Sequence, residues 1–458
     1  MISIIELVKP YVSPCIKKFV VDCREKFKFG LLYLTYVINS PFLTSFFWIA
    51  FSKDIVKSGT GRGFASLIVF DSPGGQADIM AAFGQKDEHY RIICIDGEII
   101  KHLFKYIVGE NYCDYDYALM IGRKTKELNM YHKYLSEMTC NLQKKINLKA
   151  YINFNFVYHA QRELMTVANE LGVKFITVMK ECLRTEGYLE STVQVYKEKI
   201  GRIYPSVVFV HNEQTLELID RSGIYSSGRV EIVGQARSDM LHHFYDSTSK
   251  HIKHPSDSYR LKRILYFAIS ETAGLPYFGH QSYFINNKNY LLPKNFNWSD
   301  VASSALKSLV EYCEQNTEVE LIVKGKPSGV YSEYDAKNKR ISYIHGNPDI
   351  KMLLDMDVVV GMNTTGLFES VAAGLPTISA ELGIKRDLVT KRYLYDLNDV
   401  VAVATNKTEL FNMLDLYLSS GCKININAEK ELLLDKYLGN ADGLAGPRLR
   451  QAIFEHLT

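Results

Sequence analysis

A chain of 458 residues, 47% hydrophobic and 23% charged, is a folded globular protein, too long for one ordinary core and suited to two domains of α/β size. A formal net charge of +3 gives no footing for a polyanion binder. Cys15, Cys23, Cys94, Cys113, Cys140, Cys182, Cys313 and Cys422 form neither a CxxC pair nor a Cys/His cluster at zinc spacing, which excludes a disulfide scaffold or zinc module and indicates reduced thiols of a cytosolic protein.

Residues 1–60 stand apart. Lys17, Lys18, Arg24, Lys26 and Lys28 form a basic stretch, and no charged residue occurs from Phe29 to Ser52. That length would reach across a bilayer as a helix. However, Asn39-Ser40-Pro41 interrupts it, and an internal proline breaks or kinks a helix. Three placements stay open: two short helices lying in a membrane interface with the lysines near anionic headgroups, which is favoured, a buried helix pair, and a true span. A signal peptide is not indicated, because the apolar part starts late and no small-residue cleavage site follows Phe51.

From Ser66 the pattern becomes regular. Apolar runs at 67–70, 92–95, 118–121, 150–154, 174–178 and 207–210 predict buried parallel strands, with helical patterns between them such as 124–146 and 159–171. This doubly wound layer ends near Val233. Polar residues without periodicity then predict a linker, and a second layer follows with strands at 264–269, 320–323, 341–344, 358–360 and 377–379. The expected organisation is a helical segment at 1–60, a Rossmann-like domain at 61–245, a linker at 246–260, a second Rossmann-like domain at 261–440, and a helix at 441–458 packing back on the first domain.

The most informative stretch is 356–380, MDVVVGMNTTGLFESVAAGLPTISA, which reads as strand, tight turn, helix and next parallel strand. Backbone N–H groups and the Asn363, Thr364 and Thr365 side chains at the positive end of a helix favour a phosphate. Glu369 lies one turn beyond Thr365, where a carboxylate can accept from a ribose diol. The competing reading is a plain helix cap with a solvated first-turn acid.

Here a resemblance can be stated. The segment VVVGMNTTGLFESVAAGLPTI looks like the donor-site segment of GT-B glycosyltransferases that build bacterial capsules and lipopolysaccharides. The run FNFVYHAQRELMTVANELGVKFITVMKECLRTEGY, followed by VFVHNEQTLELIDRSGIYSSGRVEIVGQARSDML, resembles surface carbohydrate biosynthesis proteins. More distantly the chain is similar to capsular transferases using CMP-Kdo and to CDP-glycerol glycerophosphotransferases. The likeness covers about 150–380 and leaves 1–60 outside. It implies an α/β, GT-B fold with two Rossmann-like domains facing each other across a cleft, the nucleotide-sugar donor on the second and the acceptor on the first.

Four further sets of residues fit that layout, each beside a strand end. Lys180, Glu181 and Arg184 follow the strand at 174–178, where Glu181 could act as general base and the two cations could bind an anionic group. In the Gly234-to-Asp239 segment the relatives commonly show Gly-x-Pro-Arg-x-Asp, and here Ala236 replaces the proline. Arg237 could hold an anion and Asp239 could orient a hydroxyl or attack the anomeric carbon, against the alternative that Asp239 caps a helix. Ser270 and Thr272 are expected near the donor phosphates, and Lys324 and Lys326 can neutralise a leaving phosphate.

Two Asp-x-Asp pairs, Asp114/Asp116 and Asp355/Asp357, match a metal pattern only formally, and no metal or other cofactor is expected. No P-loop, GxGxxG or interleaved aromatic platform is present, so ATP hydrolysis, NAD chemistry and nucleic-acid binding are not indicated. The expected function is a metal-independent glycosyltransferase, peripheral on the inner face of the cytoplasmic membrane, with a CMP-activated ulosonic acid such as Kdo as favoured donor. Its partners would be that nucleotide-sugar and a glycan or lipid-linked acceptor. A UDP-sugar or CDP-polyol transferase, a non-hydrolysing nucleotide-sugar epimerase and a non-catalytic membrane scaffold are the alternatives.

Overall fold

The computed structural model of the chain describes residues 14–58, 64–109, 114, 117–242, 260–269, 298–325, 338–345, 350–420 and 427–458. Its first sheet contains β1 (Lys53–Ser58), β2 (Ala65–Phe70), β3 (Lys86–Asp87), β4 (Tyr90–Ile95), β5 (Leu148–Asn153), β6 (Lys174–Val178), β7 (Val207–Val210) and β8 (Val230–Ile232). The spatial order is β3-β1-β4-β2-β5-β6-β7-β8, and only β1 against β4 is antiparallel. Chain direction across the sheet reverses between β2 and β5, so a crevice opens at their carboxyl ends. Ile68, Tyr151, Ile176 and Phe209 are fully buried, as strands covered on both faces require.

The second sheet contains β9 (Lys262–Phe267), β10 (Val319–Gly325), β11 (Ile341–His345), β12 (Val358–Gly361), β13 (Thr377–Ala380) and β14 (Ala402–Ala404). All are parallel in the order β11-β10-β9-β12-β13-β14, the 3-2-1-4-5-6 arrangement of a Rossmann sheet with its switch point between β9 and β12. The two sheets form the two Rossmann-like domains of the GT-B fold.

The longer helices are α1 (Pro14–Val37), α2 (Pro41–Phe51), α3 (Pro73–Phe83), α4 (Glu98–Val108), α5 (Thr125–Ile146), α6 (His159–Glu170) and α7 (Glu186–Val195). They continue with α8 (Glu213–Ser222), α9 (Trp298–Gln315), α10 (Thr365–Ala372), α11 (Lys407–Ser420), α12 (Ala428–Leu438) and α13 (Ala445–Leu457). The break between α1 and α2 falls at Asn39, whose φ of 49° ends α1, and at Ser40, whose hydroxyl accepts from Leu43 N at 3.3 Å with Pro41 opening α2. Leu32, Tyr36 and Trp48 on this pair are buried in the first-domain core. Among the described residues no helix is long and apolar enough to cross a membrane.

One strand expectation fails. The apolar run at 118–121 lies in a single helical turn, Tyr117–Ile121, that buries Tyr117 and Met120. A run of four apolar residues is too short to show a period that separates strand from helix. In addition, β1 lies inside the segment expected to be purely helical and pairs with β4; with two apolar residues among its six, Lys53–Ser58 carries little strand signal.

The chain passes between the domains twice, and the two crossings touch. Gly234 and Gly439 both take positive φ, 83° and 60°, and a Cβ on Gly234 would strike the Gly439 carbonyl. Gln235 N–H donates to the Leu438 carbonyl at 2.8 Å. Beyond this point α12 stacks Tyr437 on Phe368 of α10, ring centroids 4.3 Å apart. Next, α13 lies on the first domain, where Arg450 pairs with Asp87 at 2.9 Å and His456 with Glu231 at 2.6 Å.

Candidate functional site

The second-domain wall is the turn from β12 into α10. Asn363 takes a φ of 46°, and its amide is occupied in shaping the turn: Nδ2 donates to the Tyr393 carbonyl at 2.7 Å and Oδ1 accepts from Tyr395 N at 3.1 Å. Thr364 is the N-cap, its hydroxyl accepting from Gly366 N at 3.4 Å. Thr365, half-buried, opens the helix, whose first-turn amides point out of its amino end. A Cβ on Gly366 would run into the Phe267 ring, so glycine lets α10 close down on the end of β9. Lys324 stands opposite Phe267 in the β9–β10 register, with its ammonium 5.2 Å from that ring centroid. The expected donor contacts Ser270, Thr272 and Lys326 lie outside the described residues.

Glu369, one turn into α10, faces the first domain. Its Oε1 stands 3.7 Å from Arg237 Nε. Arg237 is anchored on α3, where its backbone N–H reaches Asp78 Oδ1 at 2.9 Å and Nη1 reaches Asp78 Oδ2 at 2.8 Å. Burial pushes the Asp78 carboxyl up, but the Arg237 guanidinium and the His211 ring more than offset it and hold it below its ordinary value. Behind Asp78, His211 Nε2 lies 3.8 Å from Asp78 Oδ2, and both ring nitrogens are buried without a hydrogen-bond partner. Burial lowers the His211 pKa, while Cys182 and Asp78 raise it more, to about 9. The Cys182 Sγ accepts from His211 N at 3.4 Å.

The first-domain wall is a cavity of about 260 Å³ at the switch point of the first sheet, lined in part by Asp71, Ser72, Asn153, Tyr158, Gln161 and Lys180. Lys180 donates Nζ to Ser72 Oγ at 2.7 Å. Glu181 is mostly exposed at the rim, 3.9 Å from the Lys180 ammonium and accepting from Asn155 Nδ2 at 3.3 Å. The Asp71 carboxyl accepts from the Gln76 amide, and burial, then Asp96, raise its pKa. The first turn of α3 joins this cavity to Arg237, since a Cβ on Gly74 would lie 3.9 Å from Arg237 Nη1. Lys180, Glu181, Arg237 and Glu369 are thus brought to the facing carboxyl ends of the two sheets. Asp71, Asp78, Cys182 and His211 were not singled out from the sequence. The available signal was position, because Asp71 and His211 each follow directly on a buried strand.

Other expected residues sit elsewhere. Arg184 is buried and donates to Thr215 Oγ1 at 3.4 Å, so it does not present a cation to the crevice. Both Asp239 oxygens are occupied: Oδ1 accepts from Asn440 Nδ2 at 2.8 Å and Ala445 N at 3.1 Å, and Oδ2 from Gly446 N at 2.7 Å. It is the anion at the start of α13, and neither oxygen is left free for the nucleophilic role expected from the sequence. Asp357 binds Arg260 and the Arg263 backbone at the amino end of β12, away from the crevice, and Asp114 binds His159. Among the described residues no group of three or more His, Cys, Asp or Glu could hold a metal ion.

No protein-family model and no curated protein matches the chain. Solved structures do. The chain is similar to UDP-N-acetylglucosamine 2-epimerase from Rickettsia bellii at 10% identity and a TM-score of 0.47, over 86% of this chain and 97% of that one. It is similar to the wall teichoic acid polymerase TagF at 10% identity and 0.45, over 95% and 98%. It is similar also to Arabidopsis thaliana UGT89C1 complexed with UDP, at 10% identity and 0.43, over 86% and 100%. At such identities the likeness concerns chain layout alone.

Proposed function

We propose that this protein is a metal-independent glycosyltransferase that moves a sugar from a nucleotide-activated donor to a surface glycan or lipid-linked acceptor at the cytoplasmic face of the membrane. The observation that carries the reading is the Arg237 guanidinium, held on α3 by Asp78 and reaching toward Glu369 of the opposite domain, with a phosphate-type turn on one side of it and a polar cavity on the other. The amino end of α10, Thr365 and Lys324 would hold the donor phosphate, and Glu369 the ribose. The acceptor hydroxyl would occupy the cavity beside Asp71 and Lys180, with Glu181 at its rim.

In the reaction the acceptor oxygen forms the new bond to the anomeric carbon and its proton passes to the Asp71 or Glu181 carboxylate. The bond from the anomeric carbon to the phosphate oxygen breaks, and its electron pair leaves with the nucleotide, where Lys324 and Arg237 balance the charge. Closure of the two domains keeps water from competing for the sugar. A CMP-activated ulosonic acid such as Kdo is the proposed donor, a choice supported by the Arg237 guanidinium, which could pair with a sugar carboxylate.

A thermal-shift comparison of CMP, UDP, CDP and GDP tests the reading, since the nucleotide that binds the folded state raises the melting temperature by mass action. A rise with CMP alone is expected, and no rise with any of them overturns the donor site. Release of an epimerised nucleotide-sugar without acceptor would replace the transferase with an epimerase.

A further inference from the structure

The polarity of the α1–α2 pair is inverted relative to a helix pair on a water-facing surface. Its inner side carries its buried polar groups beside Leu32, Tyr36 and Trp48. Thr35 and Thr44 hydroxyls bond each other at 2.7 Å, and the Lys28 ammonium pairs with Glu25 at 2.7 Å and Asp96 at 2.6 Å. Its outer side is apolar. Phe27, Tyr33, Leu34, Val37 and Ile38 of α1 and Phe42 and Phe46 of α2 are each more than half exposed. They recur at helical spacing, and no charge interrupts them from Phe29 to Ser52. A contiguous apolar surface of this kind marks a docking face.

We infer that this face inserts into the headgroup region of an anionic phospholipid bilayer, with both helices lying flat. The surrounding charge favours that occupant over a second protein. Exposed Lys26 adjoins Phe27 in the chain and exposed Lys145 lies against the rings of the stripe, Lys105 and Lys144 are exposed on α4 and α5, and among the described residues Lys105, Lys144 and Lys145 make no ion pair. The Lys145 ammonium lies 3.9 Å from the Phe42 ring centroid and 5.5 Å from that of Phe46. A lysine there can hold a lipid phosphate while the rings enter the acyl boundary. The Thr35–Thr44 bond ties the two helices together, and the Thr44–Tyr134 hydroxyl bond, the Lys28–Asp96 pair and the buried Trp48 clamp them to the domain, so insertion requires no unfolding.

The Lys28–Asp96 contact ties the face to the acceptor cavity, because Asp96 also lines that cavity. An acceptor drawn from the lipid follows only if the transferase reading holds; the bilayer contact does not depend on it.

Flotation of the full chain with vesicles of phosphatidylcholine, with and without phosphatidylglycerol, tests the inference. The protein should float with the mixed vesicles, less so at high salt. The double variant Phe42→Asp/Phe46→Asp should lose binding by roughly tenfold or more at unchanged melting temperature. Lys105→Ala and Lys145→Ala should each weaken it about fivefold at low salt. The inference is overturned if the wild type remains in solution with every vesicle, or if the double variant floats as well as the wild type. Light scattering that shows a dimer dissolved by the double variant would assign the face to a second copy instead. A variant that no longer floats but keeps its nucleotide-induced thermal shift supports the bilayer face and leaves the donor site standing. The converse loss would remove only the donor site.

Discussion

Arg237 Nε lies 3.7 Å from Glu369 Oε1 across the two domains, while Nη1 of the same guanidinium lies 2.8 Å from Asp78 Oδ2 on α3. The shorter contact anchors the arginine and the longer one leaves Glu369 room to exchange it for a ligand hydroxyl. Glu369→Gln should therefore weaken nucleotide binding by roughly tenfold, the scale of one charged hydrogen bond. Isothermal titration with the nucleotide that shifts the melting temperature checks this, and unchanged affinity would place Glu369 outside the donor site.

Asp78→Asn removes one partner of a buried pair and should cost about 3 kcal/mol of stability at neutral pH. The sign with pH follows from a carboxyl held below its usual 3.8. Its contribution is present above that value and is lost as pH falls through the lower folded value. Denaturant midpoints of wild type and variant should thus differ at neutral pH and converge on acidification, and a gap that persists in acid would contradict the pairing.

Asp239→Ala should act on stability. It deprives the start of α13 of its anion and unties Asn440, for an expected loss of roughly 1–3 kcal/mol. At a temperature where the variant remains folded, turnover should lie near the wild-type value. A folded variant with no activity would return Asp239 to the chemistry.

Asp71 and Glu181 can be separated by kinetics. Loss of a general base costs about 10²–10⁴-fold in turnover while donor affinity is kept. Asp71→Asn is expected to show that split, because its carboxyl lies in the cavity with a raised pKa, whereas Glu181→Gln, at the exposed rim, should be milder. The reverse order would move the base to Glu181.

Gly366→Ala should cost about 1–3 kcal/mol by driving a methyl group into the Phe267 ring. Adding Phe267→Leu should recover part of that loss in a double-mutant cycle. Strict additivity of the two would mean that β9 and α10 do not meet at this point.

Five strands of the second sheet were legible because they are continuous apolar runs, and its turn carries Asn, Thr and Gly at the positions a strand-to-helix turn needs, whereas the three-residue β14 was not read from the sequence. The break at Asn39-Ser40-Pro41 was legible for the same local reason, since proline and αL asparagine act on their own backbone. The helix at 117–121 was not, because a run of four apolar residues is too short to show a period. Within the crevice, the sequence pointed to Lys180, Arg237 and Glu369 through their places beside strand ends. It could not rank Asp71 or His211, each a single polar residue after a strand among many such residues.

By itself the sequence determined two parallel layers, the turn that opens α10 and an uncharged stretch interrupted at Asn39-Ser40-Pro41, all of which depend on neighbours a few residues apart. Only the tertiary structure decided that Arg237 is held by Asp78, that Asp239 belongs to α13, and that the helix pair turns its threonine hydroxyls and Trp48 inward while leaving Phe27, Tyr33, Phe42 and Phe46 exposed. Those outcomes depend on partners that are remote in the chain: 159 residues separate Arg237 from Asp78, and 201 separate Asp239 from Asn440. A side chain's role there is set by which of several chemically equivalent partners the fold brings within hydrogen-bonding reach, and no local pattern of residues encodes that choice.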